Sequence, residues 1–161
     1  MKLTKKDFKD GEYVGEIDFT KKYEGSIEIE GSLGWVMFKR LWVSGAIVAE
    51  RGTGILAGTG ISAGWGISAG LGISAGTGIS AKLTLKAGYR VFAGVGVWIK
   101  NPTPEQLQIK CGKFEGGEIC YGNLVETGLP EESAKDDGCQ HKQTGKFCSE
   151  CGAKLCEKEE A

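Results

Sequence analysis

Gly54-Ile-Leu-Ala-Gly-Thr-Gly-Ile61-Ser-Ala-Gly-Trp-Gly-Ile67-Ser-Ala-Gly-Leu-Gly-Ile73-Ser-Ala-Gly-Thr-Gly-Ile79-Ser-Ala81 is the stretch that decides the fold. An aliphatic residue returns at every sixth position, at Ile55, Ile61, Ile67, Ile73, Ile79, Leu85, Val91 and Val97. Alanine follows two residues behind, from Ala57 to Ala93. The third residue of the same parity varies, running Thr59, Trp65, Leu71, Thr77, Leu83, Tyr89 and Val95, whereas the opposite parity from Gly58 to Ser80 holds only glycine and serine. Alternation at period two marks an extended chain with one buried face. A single strand over residues 53–100 would be about 160 Å long at roughly 3.3 Å per residue, far beyond any strand of a compact domain. The chain must therefore turn at every hexad. The aliphatic residue, the alanine and the variable residue are expected to point inward and glycine or serine outward, in a prism whose coils stack and hydrogen-bond to one another. Glycine is expected to supply the corner backbone angles and to keep the outer wall thin. A flexible linker would not hold an apolar residue in phase for eight units, and a polyproline-like bundle would need glycine at every third position.

This run resembles the hexapeptide-repeat, or left-handed β-helix, proteins, closely over residues 55–100 and loosely upstream. It departs from their motif in the alanine after the aliphatic position and the Gly-x-Gly before it, so handedness and the number of faces stay open. With three hexads to a coil, Thr59, Thr77 and Val95 would form one column, Trp65 and Leu83 a second, and Leu71 and Tyr89 a third. Upstream, the same parity continues through Tyr13, Ile17, Phe19, Ile27, Ile29, Leu33, Trp35, Met37, Leu41, Val43, Ile47 and Ala49, at irregular spacing and with Phe38 and Trp42 on the outward parity. Residues 1–100 are thus expected to form a β-solenoid whose N-terminal part is wider coils or a hairpin layer capping the open end.

Asn101-Pro-Thr-Pro104 interrupts the pattern, because proline cannot donate the hydrogen bonds that stacking requires. Beyond it, Leu107–Phe114 and Glu118–Val125 around Glu115-Gly-Gly117 are expected to form a β-hairpin within residues 101–126, with Cys111 and Cys120 facing each other as small buried hydrophobes or, alternatively, as a second metal half-site. Residues 127–138 are polar and acidic and suit a linker. The last segment, 139–161, contains Phe147-Cys-Ser-Glu-Cys-Gly152, which resembles one knuckle of a zinc ribbon. Cys148 and Cys151 with Cys139 and His141 would complete a tetrahedral structural Zn2+ site, with Cys156 as the substitute ligand. Four protein ligands would leave no open coordination position, so such a metal would stabilise a small tail and not catalyse. The fold class expected is all-β: a β-solenoid of six-residue repeats, a C-terminal β-hairpin and a small zinc-binding tail.

Catalysis finds little support in the sequence. Hexapeptide-repeat acyltransferases and carbonic-anhydrase-like enzymes depend on histidines projecting from the coil, and the one histidine here, His141, lies outside the repeat. Without it no Ser-His-Asp set can be assembled, and the Gly-x-Gly units lack the context of a phosphate loop. Lysine plus arginine total 20 against 21 aspartate plus glutamate, so net charge gives no drive toward DNA or an anionic membrane. Residues 1–10 have no apolar stretch behind their basic residues, so no secretory signal is expected, nor a transmembrane run, and cysteines crowded beside a histidine suit a reducing, cytoplasmic setting. A non-catalytic protein-interaction protein is expected. Its binding surface would be the wall carrying Ser62, Ser68, Ser74 and Ser80, which lies in a stretch without charge between Arg51 and Lys82, or the large residues Trp35, Phe38 and Trp42. Other expectations are a homo-oligomeric particle or filament protein and a nucleic-acid binder using Lys142, Lys146 and Lys154 of the tail. The Gly-Ile-x-Ala-Gly-x repeat joined to this Cys/His segment is similar to small uncharacterised proteins of phages and prophages of Gram-positive bacteria. That resemblance implies a host macromolecule as the partner, for example a nuclease of an antiviral system.

Overall fold

Residues 1–96 and 99–129 are described by a computed structural model. Apart from one short 3-10 turn at Lys5–Asp7, the regular structure among them is all β, coiled into a solenoid of about five turns with three faces. The first face stacks β1 (Lys2–Leu3), β4 (Ile27–Ile29), β7 (Ile47–Ala49), β10 (Ile67–Ala69), β13 (Thr84–Ala87) and β16 (Lys113–Phe114). The second stacks β2 (Phe8–Lys9), β3 (Glu12–Tyr13), β5 (Gly34–Phe38), β8 (Thr53–Ala57), β11 (Ile73–Ala75), β14 (Arg90–Ala93) and β17 (Glu118–Tyr121). The third stacks β6 (Leu41–Val43), β9 (Ile61–Ala63), β12 (Ile79–Ala81), β15 (Gln108–Cys111) and β18 (Asn123–Glu126). Pairing within the faces is parallel except between β2 and β3. Residues 55, 73 and 91 lie in register, 18 apart, so three hexads close one regular coil.

Each face contributes a column of aliphatic side chains to the core: Ile47, Ile67 and Leu85; Ile55, Ile73 and Val91; Ile61, Ile79 and Ile109. All are at most 1% exposed. The alanines beside them are also buried, since a methyl group is what the narrow triangular section admits next to a corner. The variable third residue does not point inward as expected. Trp65 is 60% exposed and Tyr89 67%. Strands here are three to five residues long, so the variable third residue sits where the chain changes face and alternation ceases to separate inside from outside. The columns themselves are present as stacked corners, with the Leu83 N–H donating to the Trp65 carbonyl at 2.8 Å and the Tyr89 N–H to that of Leu71 at 2.6 Å.

Glycine serves these corners differently from the expectation. Gly64, Gly76 and Gly88 do not have positive φ. A Cβ on them would instead overlap the backbone carbonyl oxygens of Ser44, Gly58 and Gly70 in the coil below. Close approach of stacked corners, not an unusual torsion, requires the missing side chain.

Parity also shifts upstream. In β5, Val36 and Phe38 are buried whereas Trp35 and Met37 are exposed. Ser32, just before it, and Gly34, its first residue, adopt left-handed φ of 62° and 71°, and a slip of one residue exchanges the two faces of a strand. Phe38 thereby joins Phe8, Tyr13 and Phe19, with ring centroids 5.1–5.8 Å apart. This aromatic cluster and the β2–β3 pair cover the N-terminal end of the core.

The C-terminal β-hairpin is corrected as well. β15 pairs in parallel with β12 and β18, β16 with β13, and β17 with β14, so residues 108–126 continue the solenoid. Gly116 and Gly117, at φ 122° and 93°, turn a corner between faces instead of reversing the chain. The preceding coil offered a ready parallel edge, and a Gly-Gly signal serves either turn. Cys111 and Cys120 consequently lie on different faces, the first buried and the second exposed. Ile79 pairs with Ile109, 30 residues on instead of 18, so the coil carries a 12-residue insertion before Gln108.

Candidate interaction surface

Because the hexads deal successive strands to successive faces, the four serines do not share one wall. Ser68 lies on the first face, Ser74 on the second, and Ser62 and Ser80 on the third. What each face offers a partner is set by residues that match across coils, not along the chain.

Along the first face the outward column runs Glu28, Val48, Ser68 and Lys86. Lys2, in register with Glu28, makes ion pairs with Glu50 at 3.1 Å and Glu28 at 3.7 Å. Its hydrogen bond to Glu50 and the nearby Glu28 raise its pKa, which marks this wall as charged and solvated. The third face carries Trp42, Ser62, Ser80 and Lys110, with the Arg40 guanidinium 5.0 Å from the centre of the Trp42 ring.

The second face is different. Its outward column is Met37, Leu56, Ser74, Phe92 and Tyr121, in register through successive strands with one irregularity before Phe92. Beside it, Trp35 pairs with Gly54. A Cβ on Gly54 or Gly72 would come within 2.9 Å of the indole, so the two glycines form the bed on which Trp35 lies across neighbouring coils. Trp35 keeps 43% of its surface exposed there, Met37 39% and Tyr121 45%. Arg90 and Glu118 stand in the Trp35 row, at its far end.

No family model, no curated protein and no solved structure matches this chain.

Of the three large residues singled out in the sequence, Trp35 belongs to the second face, and Trp42 is half-buried on the third. Phe38, 4% exposed within the aromatic cluster, leaves the candidate surface because its ring is committed to the core. Sequence reading missed Leu56 and Phe92, which sit in the outward row with Ser74; comparing residues 18 apart would have found them. Burial, with Glu126 acting in the same direction, pushes the Cys111 thiol up, which disfavours the reactive thiolate. Cys139, His141, Cys148, Cys151 and Cys156 lie outside the described residues. Among the described residues, no helix is long and apolar enough to cross a membrane.

Proposed function

We propose that this chain is a non-catalytic interaction protein that docks a protein partner on the second face of its solenoid. The observation that carries this reading is the row Met37, Leu56, Ser74, Phe92 and Tyr121 with Trp35 beside it, which places large apolar side chains on a wall with no charged residue in the central rungs. Contiguous apolar surface of this kind marks interaction sites, and aromatic anchors carry most of the binding energy where they occur. Parallel stacking fixes the outward side chains at regular intervals of about 4.8 Å, so little order is lost on binding. If the resemblance of the repeat and its Cys/His segment to phage and prophage proteins holds, a host macromolecule is the partner to seek, blocked by coverage of its surface. The antiviral nuclease is one such candidate.

Ser68 and Ser74 provide an internally controlled test. An arginine at either position extends into solvent, and both Ser68→Arg and Ser74→Arg should keep stability within about 0.5 kcal/mol of wild type. Only Ser74→Arg places a charge in the centre of the apolar face, and it should weaken binding by several kcal/mol. The partner would be recovered from a host lysate and its affinity measured by calorimetry. Equal binding by both variants would remove the second face from the interaction. Sizing across concentrations distinguishes a foreign partner from a second copy of the chain.

The tail is proposed to hold one structural zinc through Cys139, His141, Cys148 and Cys151, on the strength of its ligand spacing. Elemental analysis of the purified protein should give one zinc per chain, lost in the Cys148→Ser, Cys151→Ser double variant. Metal-free protein, or full retention in that variant, would exclude the site.

A further inference from the structure

The 12-residue insertion turns part of the third face from a flat wall into a cleft of about 460 Å³. Its inserted wall is held by local hydrogen bonds. The N–H groups of Gln106 and Leu107 donate to the Thr103 carbonyl at 3.0 and 3.2 Å, and the Thr103 N–H donates to Gln106 Oε1 at 2.9 Å. This turn settles over Gly78, where a Cβ would stand 3.0 Å from the Glu105 carbonyl oxygen and 3.1 Å from that of Gln108.

The floor follows from the register. Leu41, Ile61, Ile79 and Ile109 are successive rungs of the third face. Arg40 precedes the first and Lys110 follows the last. Between them the cleft is lined by Gly60 with Ser62 and by Gly78 with Ser80, residues too small to fill it. Arg40 and Lys110 are three rungs apart and two residues apart along the strand, roughly 16 Å between backbone positions, and both side chains are long enough to lean toward the trough. Among the described residues neither takes part in a salt bridge, and there the Ser62, Ser80 and Thr77 side chains make no hydrogen bond. Glu105, the one acidic residue lining the cleft, is hydrogen-bonded to its own backbone and to Thr103, which holds its carboxyl below the usual range and its charge on the inserted wall.

Two cations without an acidic partner among the described residues, Arg40 resting on the Trp42 ring and Lys110, stand at opposite ends of a hydroxyl-lined trough and match a particular ligand class. We propose that this cleft binds a small bis-anion, a molecule with a phosphate or comparable group at each end and hydrogen-bonding atoms between. Arg40 engages one end and Lys110 the other, while the hydroxyls of Ser62 and Ser80 meet the middle. The site is independent of the second face and of any partner bound there.

Fructose 1,6-bisphosphate, fructose 6-phosphate and inorganic phosphate serve as probes, titrated calorimetrically into the full chain at about 0.15 M salt, where weak surface attraction is screened. The bisphosphate should bind at least about tenfold more tightly than either probe with a single phosphate group, because its second group binds at high effective concentration. Arg40→Ala and Lys110→Ala, on exposed side chains, should each reduce the bisphosphate to the affinity of the monophosphate with no change in melting temperature. Lys86→Ala on the first face should leave it unchanged. No binding of the bisphosphate, no preference over the monophosphate, or equal loss in Lys86→Ala would each overturn the proposal.

Discussion

Ile67→Asp should unfold the solenoid or bring it close to unfolding, while Ser68→Asp, one residue away, should leave stability within about 0.5 kcal/mol. Ile67 is 1% exposed and stacks between Ile47 and Leu85 in the first-face column. A carboxylate there would lie among aliphatic side chains with no cation or donor in reach. It must either stay charged without a partner or take up a proton and bury an unpaired hydroxyl, and either course costs several kcal/mol in addition to the lost apolar contacts. A domain of this size has only about 5–15 kcal/mol of stability in total. Nor can the damage stay local, because each coil's core is completed by the coils above and below. Ser68 occupies the outward position next to it, where a carboxylate meets water. Urea titration followed by circular dichroism measures both variants. An unchanged midpoint for Ile67→Asp would mean that the inward parity is wrong.

How much of this architecture the sequence discloses depends on how strictly the repeat constrains the chain. Between Ile55 and Val91 the six-residue spacing requires a coil that turns at every hexad but leaves the number of faces open, and the register of Ile55, Ile73 and Val91 sets it at three hexads per coil. Period two by itself could not separate a strand residue from a corner residue of the same parity, so Trp65 and Tyr89 were expected inside although corner geometry turns them out. Upstream, the left-handed residues Ser32 and Gly34 shift the phase. Nothing in the alternation from Leu33 to Met37 signals that shift, since Trp35, Val36, Met37 and Phe38 are all apolar. Downstream, Glu115-Gly-Gly117 has the composition of a hairpin turn. Only the parallel edge left by β12, β13 and β14, a long-range feature, makes it a corner. The candidate surface was legible in part. Ser74 and Trp35 could be singled out as outward or large, but the row that unites Ser74 with Leu56 and Phe92 exists only once the coil length is known.

Gly76→Ala should lower stability by about 2–3 kcal/mol, although the change adds only one methyl group. On chain entropy alone alanine would stabilise by roughly 0.4–1 kcal/mol, because the unfolded chain with glycine has more freedom to lose. Packing opposes this and prevails. A Cβ on Gly76 would overlap the Gly58 carbonyl group in the coil below and lie 3.4 Å from the Gly96 Cα in the coil above. Backbone on both sides leaves no flexible side chain to move aside. Gly76 also donates its N–H to Ala57 at 2.9 Å and accepts from Gly96 at 3.1 Å, so relief by rotation would break the hydrogen bonds that stack one corner on the next. Gly60→Ala is the contrasting substitution. Its Cβ would meet the Thr77 hydroxyl at 3.0 Å and the Gly78 carbonyl oxygen at 3.1 Å, contacts that a rotated threonine and a shift of a few tenths of an ångström relieve, so the loss should stay below about 1 kcal/mol. Thermal melts of the two variants against wild type measure the difference directly. If Gly76→Ala melts at or above the temperature of Gly60→Ala, close corner stacking does not explain the Gly-x-Gly repeat, and the glycines must be accounted for by the outer surface they leave bare.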